Sequence, residues 1–181
     1  MTADYKTTIT VSKTPQEAFD AINDVSGWWG RITGTPTAMG NEFVYVVPGL
    51  HYSGMQVTEL EPGRSIAWLV TGSYLSFIAD TQEWNGTTVR FDIDEGDDGT
   101  RITFTHEGLG PDVECYGACS NAWGTYVRGS LRDFIETGVG QPNSLEGDEA
   151  LDAADHAELR RRIEGHGVID TDAISQTLLD Q

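Results

Sequence analysis

The sequence predicts an α+β fold in which one curved antiparallel sheet wraps around a single long helix. Three observations predict it. A short capped helix follows the first strand, a run of strands with Gly-rich turns fills residues 41 to 106, and one long stretch at helical spacing covers 113 to 137. The length of 181 residues suits one domain of ordinary size plus a short appendage.

Residues 5–11 are β-branched and set Tyr5, Thr7, Ile9 and Val11 on one side, the alternation of a strand with one buried face. Thr14-Pro15-Gln16-Glu17 is a capping box with proline at the first helical position, and Ala18, Phe19 and Ile22 then recur at helical spacing. The segment Asp24 to Gly30 ends that helix and has room for one more turn, and 34–40 reads as an irregular loop. Strands are expected at 42–47, 52–60 and 65–71, with Glu61-Pro62-Gly63 as the turn between the last two. The segment 74–84 carries no clear pattern. From Thr87, residues Val89, Phe91 and Ile93 point inward while Arg90, Asp92 and Asp94 point outward. The return strand places Ile102, Phe104 and His106 on its inner face, giving six or so strands in all.

The long helix spans 113–137, with Tyr116, Cys119, Trp123, Tyr126, Val127, Ser130, Leu131 and Phe134 near a 3, 4 repeat and Gly138 beyond its end. Composition changes after Pro142. Residues 144–181 hold ten acidic and three basic residues and form the second unit of the chain, after a domain at 1–143. Within it, 150–164 carries Leu151, Leu159 and Ile163 among charges, and a second helix begins at Thr171 and includes Ile174, Leu178 and Leu179. The expected role of this tail is a solubilising helix pair that packs its few Leu and Ile on the main domain or on a second subunit.

With 29 acidic and 11 basic residues, the formal charge is −18, which opposes nucleic-acid and anionic-membrane surfaces. No apolar run is long enough to cross a membrane and no secretory leader is evident, so a cytoplasmic location is expected. The two cysteines, Cys115 and Cys119, lie four apart on the long helix and do not suit a disulfide. Only Lys6 and Lys13 are lysines, a bias that fits a high-salt or GC-rich host.

The strand, the TPQEAFDAI helix, DVSGWWG, EPGRSIAWLV, TTVRFDIDEGDDGTRITFTHEGL and AWGTYVRGSLRDFIETG follow one another in an order that resembles the START-like (SRPBCC) superfamily. Within it the chain is most similar to the branch named after the C-terminal domain of the activator of Hsp90 ATPase, over residues 4 to 143. The resemblance implies a helix-grip (START/Bet v 1-like) fold, with a mostly apolar tunnel between sheet and helix. It leaves function open, because such proteins range from lipid carriers to polyketide cyclases and co-chaperones.

His106 alternates with Ile102 and Phe104, so its imidazole is a candidate to orient or protonate a ligand, against the alternative of a histidine satisfied by backbone. His51 is a lesser candidate at a strand mouth, and His156 and His166 read as solvated. Cys115, Cys119 and His106 are of zinc-binding type but lack CxxC spacing and a fourth ligand, so no metal is expected. The acidic pairs Glu59/Glu61, Asp92/Asp94 and Asp97/Asp98 fall on outer faces and turns, away from any shielded cleft. There is no nucleophile elbow, no HExxH and no phosphate-cradling glycine loop.

Trp28, Trp29, Phe43 and Trp84 add to a ring content that core packing largely explains. The expected tunnel wall is Tyr45, Trp68, Phe91, Phe104, His106, Tyr116, Cys119, Trp123 and Tyr126. The leading expectation is a carrier of a small, largely apolar molecule that needs no cofactor and catalyses no reaction. The alternatives are a cyclase or hydrolase-like enzyme using His106 or Tyr126 as acid/base, and a co-chaperone-like interaction module. A homodimer or protein partner would engage the C-terminal extension.

Overall fold

The computed structural model describes residues 3–47 and 51–143. The expected tail helices at 150–164 and from Thr171, with His156 and His166, lie outside the described residues. The chain begins with β1 (Tyr5–Val11), whose buried Ile9 and Val11 follow the expected alternation. The capping box then forms in full: Thr14 Oγ1 accepts from Glu17 N and the Glu17 carboxylate accepts from Thr14 N. These bonds also hold the Glu17 carboxyl below the usual carboxylate range. The box opens α1 (Pro15–Asn23), which buries Ala18, Phe19 and Ile22, and one further turn, α2 (Val25–Trp28), follows.

Six more strands complete the sheet: β2 (Ile32–Gly34), β3 (Glu42–Val47), β4 (His51–Glu61), β5 (Ser65–Leu75), β6 (Thr88–Gly96) and β7 (Gly99–Glu107). They pair antiparallel throughout in the order β1-β7-β6-β5-β4-β3-β2. The seventh strand, β2, lies just ahead of the expected loop, sharing only Gly34 with it, and is not legible in the sequence because three residues at a sheet edge are too few to show alternation. β5 continues through the unpatterned segment as far as Leu75 because β4 offers it partners up to His51.

The long helix begins later than its periodicity indicates. It runs from Tyr116, first as α3 (Tyr116–Gly124), then through a π-helical stretch (Thr125–Leu131), and ends as α4 (Arg132–Thr137). Its start is fixed by a distant residue: the Glu83 carboxylate accepts from Glu114 N at 2.5 Å and from Cys115 N at 2.8 Å. The Glu114 carboxylate in turn accepts from Ala79 N and Asp80 N, so the 76–87 loop and the helix start clasp each other. At the far end Gly138 adopts φ 81°, the left-handed C-cap that glycine allows without Cβ strain.

The core lies between the concave face of the sheet and the helices, and contains Ile22, Trp28, Trp68, Phe91, Phe104, Trp123 and Leu131. Ser130, on the π-helical stretch, donates to Trp28 O at 2.7 Å and accepts from Gln141 N at 2.7 Å, which ties α2, the long helix and the chain beyond it together. Gly27 permits this close approach, since a Cβ there would overlap the Phe134 ring. Gly27→Ala is therefore expected to lower stability by about 1–3 kcal/mol, read as a fall in the urea midpoint at unchanged slope.

Candidate ligand-binding site

A cavity of about 390 Å³ opens between β3, β4 and the N-terminal half of the long helix. Its inner wall is aromatic. Trp29 stacks on Tyr45 with ring centroids 3.9 Å apart and planes 8° from parallel, and it meets Trp123 at 4.7 Å. Trp84, delivered by the 76–87 loop, lies parallel to Trp123 at 5.8 Å. The His51 ring stands edge to face against Trp84 and Tyr45 at 4.8 and 5.2 Å. Val47, Cys119 and the exposed side chains Phe77, Ala118 and Ala122 complete the lining. The alanines are one helical turn apart, and their small side chains keep the helix from closing the space.

Polar atoms gather at one end. The Tyr45 hydroxyl is hydrogen-bonded with Asn143 and Tyr126, and Asn143 is held in place by donating its backbone N–H to Trp29 O at 2.8 Å. Burial, with the Tyr126 hydroxyl beside it, raises the pKa of Tyr45 far above that of a free phenol. His51 shares a 2.5 Å hydrogen bond between Nε2 and Ser53 Oγ, and burial and then the nearby His106 lower its pKa to about 3. At neutral pH these groups are uncharged.

Four residues of the expected wall border this cavity: Tyr45, Cys119, Trp123 and Tyr126. Trp68, Phe91 and Phe104 point to the same side but lie deeper, fully buried, with Trp68 against Phe43 and Phe91, and Phe104 against Trp123. Tyr116, only half-buried, turns away toward Tyr5. Alternation distinguishes the faces of a strand but not the depth at which a side chain ends. Trp29 and Trp84 line the cavity from a helical turn and a loop, where no period marks their direction, and Asn143 arrives through an isolated bridge to Gly30. The repeat of Ala118, Ala122 and Tyr126 along one helix face was the signal available for the opening.

His106 is also beneath the wall rather than on it. Trp123 Nε1–H donates to His106 Nδ1 at 3.0 Å, so the proton of the neutral ring sits on Nε2 and is donated to Thr87 Oγ1 at 2.9 Å. Thr87 passes its own hydroxyl proton to Trp84 O at 2.6 Å, which leaves the imidazole fully used. Desolvation lowers its pKa to about 3, and this ring neither reaches the cavity nor carries a spare proton. Its hydrogen bonds anchor Trp123 and Thr87, whereas the sequence offered this imidazole as a wall residue that could orient or protonate a ligand. Trp84 Nε1 donates to Cys115 Sγ at 3.2 Å, and the thiol pair with Cys119, followed by burial, pushes the Cys115 pKa up, away from a nucleophilic thiolate. Among the described residues no three His, Cys, Asp or Glu side chains converge to hold a metal.

Fold and cavity together define a helix-grip, START-like protein with a ring-walled apolar chamber between its sheet and its long helix. The family described as activator of Hsp90 ATPase homolog 1-like protein matches residues 17–136, and the chain belongs to that family. Among solved structures, the Aha1 dimer from Colwellia psychrerythraea is 21% identical, covers 76% of this chain and 99% of its own, and superposes with a TM-score of 0.62. Protein SSP2350 from Staphylococcus saprophyticus is 18% identical over 78% of this chain and 98% of its own, with a TM-score of 0.58. DynU16, from the dynemicin biosynthetic locus, is 17% identical over 76% of this chain and 49% of its own, with a TM-score of 0.57. No curated protein matches the sequence. Among the described residues no helix is long and apolar enough to cross a membrane.

The buried imidazole links stability to pH. In the unfolded chain His106 takes up a proton near pH 6.5, whereas in the folded protein it stays neutral down to about 3. Its contribution is fully present above pH 6.5 and is expected to fall as pH drops toward 3, by up to about 1.4 kcal/mol per pH unit. Denaturant unfolding between pH 7 and pH 4 checks this, and His106 ring resonances that titrate near 6.5 in the folded protein would contradict it.

Proposed function

We propose that the protein binds a small, uncharged, largely apolar molecule in the cavity between β3, β4 and the long helix, and acts as a carrier rather than a catalyst. The observation that carries this reading is the chamber itself: flat ring faces on its walls and hydrogen-bonding groups confined to one end, around Tyr45, Tyr126 and Asn143. Its volume falls within the range usual for small-molecule sites. A planar molecule with one hydroxyl or carbonyl group fits that distribution, its flat body between the rings and its oxygen toward the tyrosines.

Charge supports the same reading. Among the described residues no Lys or Arg lines the chamber, and a chain of net charge −18 repels anions from its surface. His51, with its pKa lowered to about 3, and Tyr45, with its pKa raised far above that of a free phenol, supply hydrogen bonds but are both poorly matched to proton transfer near neutral pH, which favours binding.

Native mass spectrometry of the purified protein, followed by denaturing extraction, is expected to reveal a reproducible neutral molecule. N-phenyl-1-naphthylamine, an uncharged ring compound, is expected to bind saturably and raise Tm. Ala122→Trp blocks the mouth and should weaken probe binding at least about tenfold, equivalent to roughly 1.4 kcal/mol, with the far-UV spectrum unchanged. Tyr45→Phe removes one polar contact and should weaken a bound hydroxyl or carbonyl compound by about 0.5–1.5 kcal/mol while sparing N-phenyl-1-naphthylamine. A clean apo mass together with no probe uptake would overturn the carrier reading.

A further inference from the structure

The outer face of the sheet is divided into two unlike halves. On β1, β6 and β7 its side chains are those of a solvated surface: Thr8, Thr10, Arg90, Asp92, Arg101 and Thr103, with Arg90 bridging Glu59 and Asp92. On β3, β4 and β5 the corresponding positions are Val44, Val46, Tyr52 and Tyr74. Register makes this set contiguous, since Val46 faces Tyr52 and Tyr52 faces Tyr74, while Val44 faces Gly54 and Gly54 faces Gly72. The paired glycines leave a trough beside the tyrosines. These four side chains do not belong to the core cluster, yet they are buried, at 7%, 3%, 0% and 7% exposure. The described helices pack on the opposite, concave face.

We propose that this outer face of β3, β4 and β5 is the docking surface for the chain's own C-terminal segment, residues 144–181. The point of departure favours it. Asn143 is bridged to Gly30, next to β2, and β2 is the edge strand beside β3. Crossing from β2 to β5 covers three strand spacings, roughly 15 Å, a distance that about ten helical residues span. The 38 residues after Asn143 therefore suffice to cross the face and return.

Chemistry favours it as well. Leu151, Leu159 and Ile163, then Ile174, Leu178 and Leu179, recur among acidic residues at spacings that collect them on one side of a helix. Such segments lay Leu and Ile into a Val, Tyr and Gly trough and leave their carboxylates in water. A second copy of the chain is a poorer occupant, because two molecules of charge −18 repel each other while the tethered segment is always at high effective concentration.

Hydroxyl-radical footprinting of the full chain, read by mass spectrometry, tests the proposal, with fully buried Trp28 as the internal control. Tyr52 and Tyr74 are expected to be nearly unreactive at every protein concentration. In the full chain carrying Leu151→Asp, Leu159→Asp and Ile163→Asp, their reactivity should rise several-fold while Trp28 stays protected. High reactivity in the parent protein, protection that appears only at high concentration, or equal protection in the variant would each overturn it. Should Trp28 also become reactive in the variant, a benzophenone side chain in place of Val46 in the parent chain decides. Adducts within 144–181 of the same molecule support the proposal, and adducts elsewhere or between molecules refute it.

Discussion

The hydrogen bond from Trp123 to His106 is the interaction on which most of the architecture depends. It joins the middle of the long helix to β7 at the bottom of the concave face, where neither group meets water. Once Trp123 is held there, its ring becomes a surface against which Phe104, Trp29 and Trp84 pack from β7, the α2 turn and the 76–87 loop. Three parts of the chain distant in sequence thus take their positions from one indole. An imidazole suits this role because it accepts at one nitrogen and donates at the other, so a single buried side chain satisfies two partners.

The same desolvation decides what the site can do. Low polarity around His51, His106 and Tyr45 favours their neutral forms, and each group meets its hydrogen-bonding needs largely within the protein. A chamber of this kind discriminates by shape and by the placement of a few hydrogen bonds, since none of the described residues that line it is charged. The cysteines follow the same rule: Cys115 is an acceptor for Trp84, not a reactive thiol.

The fold is kept open at one side by small residues and closed at the other by large ones. Ala118 and Ala122 face the chamber at its mouth, while Gly27 lets α2 come close to the Phe134 ring at the far end. The π-helical stretch lies between these regions, and a wider helical turn there shifts the register of Tyr126, Val127 and Ser130 from that of a regular α-helix. One consequence is that Tyr126 reaches the polar end of the chamber while Ser130 grips the backbone of Trp28.

Much of the secondary structure was legible from local chemistry. The capping box placed α1, the period-two patterns placed β1, β6 and β7, and Gly138 marked the end of the long helix. The inner-face assignment of Tyr45, Trp68, Phe91, Phe104, His106 and Trp123 was also readable, because alternation in a half-buried strand and a 3, 4 repeat in a helix fix side-chain direction. The sequence by itself therefore determined most of the elements, the faces they bury and the acidity of the chain, but not the short edge strand β2 or the far end of β5. Only the tertiary structure decided which rings border empty space and which fill the core, where the long helix starts, and that His106 serves Trp123. Depth, loop position and the capping of Cys115 by Glu83 come from residues far apart in the chain, and no local pattern encodes the distance between them.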